Sequence, residues 1–323
     1  MSENSLKFIF VGVVVFFALI SRHGNTNQSA VVAEKFPPKQ NVPARLAEVG
    51  SVTSVKQLEF SEVPKAEKII PRRNFDVSEP ALNAKAAFAK DLTSDSELFS
   101  FNSYLKWPLA SLTKLMTAVV AIEDIGLDKV ATVTETAVVT EGIAGNLAAN
   151  EEYKVSELLK AMLLVSSNDA AMVLSEFYGS DNLIKQMQSK AYFLGMDQTS
   201  FADPTGISSA NQGIISDLEK LVKYILEKHP DIFQITMLPK AQVHEESNGT
   251  DNELLNINTY AYATPRNDFL GGKTGFTDEA GGNLISLFNH NGHTILLIVF
   301  GTEDRFGQTD ILYNWVKKAY TFN

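Results

Sequence analysis

The sequence predicts an α+β domain, with an antiparallel sheet built from both ends of the domain and helices packed on it. Three observations lead there. Strand-like segments come early, at Ala81–Ala89 and Glu97–Phe101. A block of helical patterns fills the middle of the chain. Two apolar runs come late, Leu284–Phe288 and Thr294–Phe300. They flank Asn289-His290-Asn291-Gly292-His293, whose Asn-Gly step between apolar runs marks a hairpin.

The helices follow from spacing and punctuation. Over Leu112–Ile125, Leu115, Met116, Val119, Ile122 and Ile125 recur at three- and four-residue steps. Val155–Val165 is apolar nearly all round, which predicts a buried helix. Asp181–Leu194 stops at Gly195, a C-terminal cap. Ser216-x-x-Glu219 reads as a capping box, and that helix ends at His229-Pro230. A last helix is expected over Asp310–Tyr320. No internal repeat is visible.

Three zones precede and contain these elements. Residues 1–24 hold Phe8–Ile20, 13 residues without charge, short for a full membrane span and typical of an export signal. No small-x-small cleavage site follows at once, so an uncleaved N-terminal anchor and a cleaved signal both stay open. Either places the rest of the chain outside the cytoplasm. Residues 25–75 read as a disordered linker punctuated by Pro37, Pro38, Pro43, Pro64 and Pro71. Residues 76–323 are the folded body, with 32 acidic against 18 basic side chains.

Composition removes several chemistries. With no cysteine among 323 residues, disulfide scaffolds, thiol nucleophiles and zinc-ribbon sites are excluded. A net charge of -10 argues against nucleic acid as a partner, since phosphate neutralisation needs a basic footprint. None of the five histidines lies in an H-E-x-x-H motif, and no G-x-S-x-G or phosphate-cradling loop occurs. His290 and His293 are expected in a solvated turn. The acidic stretch His244–Glu253 lacks calcium-loop spacing and is expected as a solvated loop. No metal site is expected.

What remains is a serine–lysine system. Ser-x-x-Lys occurs at Ser103/Lys106 and at Ser111/Lys114. The first runs into Trp107-Pro108, and proline disfavours a helix just before it. The second opens the first periodic helix, where residues three apart share a face, so the Lys114 amine reaches the Ser111 hydroxyl. The helix N-terminus offers a free N–H to a developing oxyanion. Lysine can act as a base only if burial or a second cation lowers its pKa. An ordinary N-cap serine is the plainer alternative for Ser111. A second cation exists in Lys273-Thr274-Gly275, within GGKTGFTDEAGGNL. There Gly271, Gly272 and Gly275 relieve crowding, so Lys and Thr on one strand could bind a carboxylate beside an open edge. A glycine-rich turn with a surface lysine is the alternative. Ser-x-Asn recurs along the chain, at Ser2, Ser100, Ser166 and Ser209 among other places. Ser166-Ser167-Asn168 stands out because it follows directly on the buried apolar segment, where a polar triplet needs partners. A functional cleft is one solution and a helix cap is the other.

In the order Ser-x-x-Lys, Ser-x-Asn, Lys-Thr-Gly, these pieces form the set of the serine β-lactamases and penicillin-binding proteins. With PLASLTKLMTA (residues 108–118), LLVSSNDAA (163–171), FADPTGIS (201–208) and GGKTGFTDEAGGNL (271–284), the body closely resembles the serine-type D-alanyl-D-alanine carboxypeptidases, the low-molecular-mass penicillin-binding proteins of peptidase family S11. The resemblance implies a β-lactamase/transpeptidase-like fold and covers essentially the whole body. It implies Ser111 as acylated nucleophile, Lys114 as its base and Ser166 as proton relay. Asn168 would hold the peptide, and Lys273 would keep Lys114 deprotonated and orient Ser166. Thr274 would bind the terminal carboxylate, with Arg305 assisting. Gly275 belongs to the same motif, and the N–H groups of Ser111 and Phe276 would form the oxyanion hole. Implied partners are a peptidoglycan stem peptide ending in D-Ala-D-Ala, β-lactams as covalent inhibitors, and the membrane through the N-terminal segment. No cofactor is implied. The expected location is the extracytoplasmic face of the bacterial cell membrane.

The sequence also departs from the family pattern. Well-known members carry a C-terminal β-domain and an amphipathic C-terminal anchor, whereas here the chain ends soon after Trp315, so tethering is expected to fall to the N-terminal segment. Ser167 occupies the variable middle of Ser-x-Asn. No glutamate lies in the Phe201–Gly213 loop to activate water, which disfavours a β-lactamase. A tethered, non-catalytic binding module on the same fold is the other alternative, and two convergent lysines would have no purpose in it.

Overall fold

The computed structural model describes residues 69–142 and 144–322. The expected membrane segment and most of the expected linker lie outside the described residues. Its last residues lie inside them: Arg72 and Arg73 pair antiparallel with Tyr320 and Thr321, and the Arg73 guanidinium stacks over the Trp315 ring, 4.9 Å from its centroid. Among the described residues no helix is long and apolar enough to cross a membrane.

The central sheet joins early and late segments, as the sequence predicts. Its strands are β1 (Ala86–Asp91), β2 (Ser96–Phe101), β3 (Phe269–Thr277), β4 (Gly281–His290) and β5 (His293–Thr302). Their order is β3-β4-β5-β1-β2, antiparallel throughout. The β4–β5 hairpin turns on Asn291 and Gly292, both with positive φ (52° and 83°), the conformation that an Asn-Gly turn supplies cheaply. Strand β5 is apolar on both faces, Ile295 to Phe300, because helices cover each side. On one side lies the final helix; on the other lies the helical block around α1 (Lys114–Val120), α2 (Val155–Leu164), α3 (Asn168–Tyr178), α4 (Ser180–Phe193), α5 (Ile215–Lys228) and α6 (Asp231–Met237). The final helix is α7 (Arg305–Ala319).

Several expectations are corrected. The predicted Leu112–Ile125 helix is a 3-10 turn over Ala110–Thr113, then α1, then a π-turn over Ala121–Ile125. Ser216 does not cap α5, which starts one residue earlier without a side-chain cap, while Glu219 pairs with Lys90 at 2.7 Å. The last helix begins at Arg305, five residues early, because Asp304 accepts a hydrogen bond from Gly307 N at 2.9 Å and caps it. His293 is buried rather than solvated, with Nδ1 2.8 Å from the fully buried Asp91. His244–Glu253 is no loose loop: Lys240–His244 and Asp251–Leu255 form a hairpin around Glu245, which is itself fully buried. Burial pushes the Glu245 pKa up, but hydrogen bonds from Glu152 N, Ser247 and Asn248 outweigh it and bring it to about 2.

One buried side chain ties the sheet to the turn that opens α1. Asn283, on β4, donates through Nδ2 to Pro108 O (2.8 Å) and Leu109 O (3.3 Å), and its Oδ1 accepts from Gly301 N on β5 (3.0 Å). Replacing it by alanine orphans two carbonyls and an N–H inside the protein. Asn283→Ala is expected to lower stability by about 2–3 kcal/mol, read as a lower urea midpoint with unchanged slope.

Candidate active site

Three segments converge at one end of β3. The first is the tight turn at Ala110–Thr113, which presents Ser111. Ala110 holds a left-handed backbone (φ 48°), an unfavourable conformation for alanine, and so swings Ser111 out of line with the short strand Trp107–Pro108 before it. The second is the link between α2 and α3. Ser166 is also left-handed (φ 61°), and Ser167 caps α3 by accepting from Ala170 N at 3.1 Å. The polar triplet is therefore both cap and site: Ser167 stabilises the helix while Ser166 and Asn168 face inward. The third is β3 itself, which delivers Lys273, Thr274 and Gly275.

The side chains meet around two buried amines. Lys114 Nζ lies 3.0 Å from Ser111 Oγ, 2.6 Å from Asn168 Oδ1 and 2.6 Å from Thr205 O. Lys273 Nζ lies 2.9 Å from Ser166 Oγ and 3.0 Å from Thr274 O. The lysines are 0% and 1% exposed, so water cannot solvate either ammonium. Burial brings the Lys114 pKa down to about 7, against the nearby Asp203 carboxylate, which raises it. Lys273 is pushed well below the usual lysine range by burial and by its neighbours Lys114 and Arg305. Lys273 thus sits on a strand rather than on a surface turn.

Glycines permit this crowding. A Cβ on Gly206 would lie 1.9 Å from Ala110 O, and one on Gly275 would lie 3.0 Å from Leu109 O and 3.2 Å from Ser111 N. The backbones of β3 and of the 201–213 loop thereby press against the nucleophile turn from two sides. Arg305, at the start of α7, donates to Gly275 O at 3.0 Å and braces the same strand. Thr274 is buried, whereas the Phe276 ring is exposed at the lip of a cleft of about 420 Å³ that Asn168, Gly142, Ile207 and the acidic Glu141 and Asp278 also line.

Every site residue expected from the sequence is therefore at one place, and the competing pair is not. Ser103 is buried in a turn, bonded to Ser100 Oγ at 2.9 Å, and Lys106 is exposed. Three participants escaped sequence reasoning: Thr205, which acts through its carbonyl; Asn283, which acts from 175 residues away; and Glu141, whose carbonyl accepts from Asn168 Nδ2 at 2.6 Å. Backbone acceptors leave no mark on residue type. FADPTGIS was the one hint of Thr205.

The chemistry is that of an activated serine. A neutral lysine can take the Ser111 proton while Oγ attacks a carbonyl, and N–H groups at the turn stabilise the oxyanion. A lysine base works only when neutral, so acylation of Ser111 by benzylpenicillin is expected to be lost as pH falls through about 7. A rate constant flat between pH 5 and 8 would contradict a lysine base. Gly206→Ala is expected to slow the same acylation by about a hundredfold or more through displacement of the nucleophile turn, as read by stopped-flow quenching or intact mass.

Comparison with known proteins agrees with this geometry. Residues 73–304 match the family model described as D-alanyl-D-alanine carboxypeptidase. The D-alanyl-D-alanine endopeptidase of Escherichia coli is 30% identical over 247 residues, covering 74% of this chain and 79% of that protein. The D-alanyl-D-alanine carboxypeptidase DacF of Bacillus subtilis is 30% identical over 234 residues, covering 69% of this chain and 59% of that one. Among solved structures, penicillin-binding protein D2 of Listeria monocytogenes, in its ampicillin-bound form, superposes with TM-score 0.62 at 26% identity, over 74% of this chain and 99% of that one. A D-alanyl-D-alanine carboxypeptidase of Mycobacterium tuberculosis shares the fold with TM-score 0.69 at 24% identity, over 76% and 96% of the two chains. The chain belongs to the D-alanyl-D-alanine carboxypeptidase family of serine peptidases, peptidase S11.

Proposed function

We propose that this protein removes the terminal D-Ala from peptidoglycan stem peptides through an acyl-enzyme on Ser111. One observation carries the reading: a fully buried Lys114 amine 3.0 Å from Ser111 Oγ, with a second buried lysine on Ser166. The peptide lies extended along β3, its terminal carboxylate taken by Thr274, Lys273 and Arg305. Ser111 Oγ attacks the carbonyl carbon of the penultimate D-Ala and its proton passes to Lys114. The oxyanion rests on the N–H groups of Ser111 and Phe276. Ser166, oriented by Lys273, gives its proton to the leaving nitrogen and takes the one held by Lys114, the peptide C–N bond breaks and D-Ala departs. Water then attacks the Ser111 ester, freeing the shortened peptide and restoring the hydroxyl. Asn168 orients both Lys114 and the bound peptide.

The family acts on peptidoglycan in the cell envelope, and residues 8–20 supply the segment that would hold the protein at the outer face of the membrane. A second reaction, hydrolysis of the D-Ala bond in cross-links between stems, is favoured by relatives named as endopeptidases, such as the Escherichia coli protein. It uses the same residues, with an amino group of a neighbouring stem as leaving group.

The full chain in detergent, mixed with excess benzylpenicillin, is expected to gain the mass of one penicilloyl group on the Ser111 peptide and to keep it for minutes or longer. Ser111→Ala is expected to gain nothing. Penicillin consumed without a lasting adduct would make the protein a β-lactamase instead, and penicillin left untouched by a folded sample would leave a non-catalytic binding module. Given a pentapeptide ending in D-Ala-D-Ala, the protein is expected to release free D-Ala, and Thr274→Val to raise KM more than it lowers kcat.

A further inference from the structure

The 201–213 loop is organised around one carboxylate. Asp203 Oδ1 accepts from Thr205 N (2.7 Å), Thr205 Oγ1 (2.6 Å) and Gly206 N (2.7 Å). Its Oδ2 accepts from Ser208 N (2.9 Å) and Asn211 Nδ2 (2.6 Å). Asn211 is itself buried and accepts from Ala202 N at 2.9 Å, which closes the loop on itself. Burial would push the Asp203 pKa up, but these donors outweigh it and hold the group ionised.

The turn built this way delivers two features to the nucleophile. Gly206 passes beneath Ala110 O, and the Thr205 carbonyl reaches Lys114 Nζ at 2.6 Å. The second contact has a stereochemical consequence. A neutral amine has two hydrogens and one lone pair. Asn168 Oδ1 can only accept, since Asn168 Nδ2 donates to Glu141 O. Thr205 O can also only accept. Together they take both hydrogens, and the lone pair points in the third direction, towards Ser111 Oγ.

We infer that Asp203 is a positioning residue for the general base: by building the turn that places the Thr205 carbonyl on Lys114, it aims the Lys114 lone pair at Ser111. The inference rests on the reading of Ser111 and Lys114 as nucleophile and base. Asp203 also acts through space, because its negative charge favours the protonated form of Lys114 and so keeps it a competent base despite burial. The other charged groups nearby are Lys273 from β3, which repels Lys114, and Glu141, exposed at the cleft mouth; Arg305 from α7 acts on Lys273.

The test is the second-order rate constant for benzylpenicillin acylation of the full chain in detergent, measured from about pH 5 to 9, whose acid limb reports the free-enzyme pKa of the base. Wild type, Asp203→Asn and Asp203→Glu are compared, with thermal unfolding as the check on folding. Asp203→Asn is expected to move the midpoint of the acid limb down by about half a pH unit or more and to lower the plateau about tenfold. Asp203→Glu, which keeps the charge but shifts its position, is expected to hold the midpoint near that of wild type while the plateau falls. A folded Asp203→Asn protein whose midpoint does not move overturns the inference, whatever its plateau, because a merely structural support lowers the rate equally at every pH. If Asp203→Asn does not fold, Asp203→Glu alone carries the test: a plateau and a midpoint both equal to those of wild type overturn the inference. A wild-type protein that forms no adduct at Ser111 at any pH is a distinct result, which removes the underlying reading of the site.

Discussion

Two lysine amines lie in one dry pocket, and the rest of the site answers to that constraint. An ammonium away from water needs an acceptor for every hydrogen, and two ammoniums side by side repel. The protein can release a proton from the pair or surround it with oxygens, and it does both. Five oxygens contact the two Nζ atoms, from Ser111, Asn168 and Thr205 on one and from Ser166 and Thr274 on the other. Lys114 titrates near neutrality because the enclosure is complete on every side. A looser site would let water in and raise the Lys114 pKa.

Completeness demands close backbone approach, and the fold is shaped to give it. The left-handed residues are Ala110, immediately before Ser111, and Ser166, which holds the Lys273 amine. Such strain persists only where the surroundings overdetermine it. Here the overdetermination is concrete: Asn283 grips the strand before Ala110, Gly275 and Gly206 wedge the turn from two sides, and Ser167 anchors the following helix. The apolar sheet behind contributes rigidity more than chemistry.

Much of this is legible in the sequence because the relevant forces are local. The hairpin at Asn291-Gly292 needs only two residues with positive φ. The buried α2 helix announces itself by a broad apolar face, with Ser156, Glu157 and Lys160 confined to one narrow side. The three site motifs are legible because Ser111 and Lys114 are one helical turn apart and Lys273 and Thr274 are adjacent. What is not legible depends on partners distant in the chain. The solvated reading of His293 fails because Asp91, 202 residues earlier, meets it across the sheet. Glu245 looks like one more surface acid until backbone N–H groups close around it. Asp304 is a good capping residue at a position that apolar periodicity skips. The glycines of β3 resemble a turn because the crowding that requires them comes from other segments.

Strand β3 ends the sheet order, and among the described residues no strand pairs with its outer edge. Its first half is covered nonetheless, since Thr236 Oγ1 on α6 accepts from Gly272 N at 3.0 Å and Gly271 packs against Phe233. Burial runs on through Gly275, and only the last residues of the strand, from Phe276, stay open. A free sheet edge is normally a hazard, because another copy of the chain can add its own strand there and begin to aggregate. This one is too short to seed such growth, it has a lysine turned inward behind it, and Asp278 and Glu279 at its end repel a second acidic molecule. An edge this short and this acidic therefore offers a second copy of the chain little to pair with.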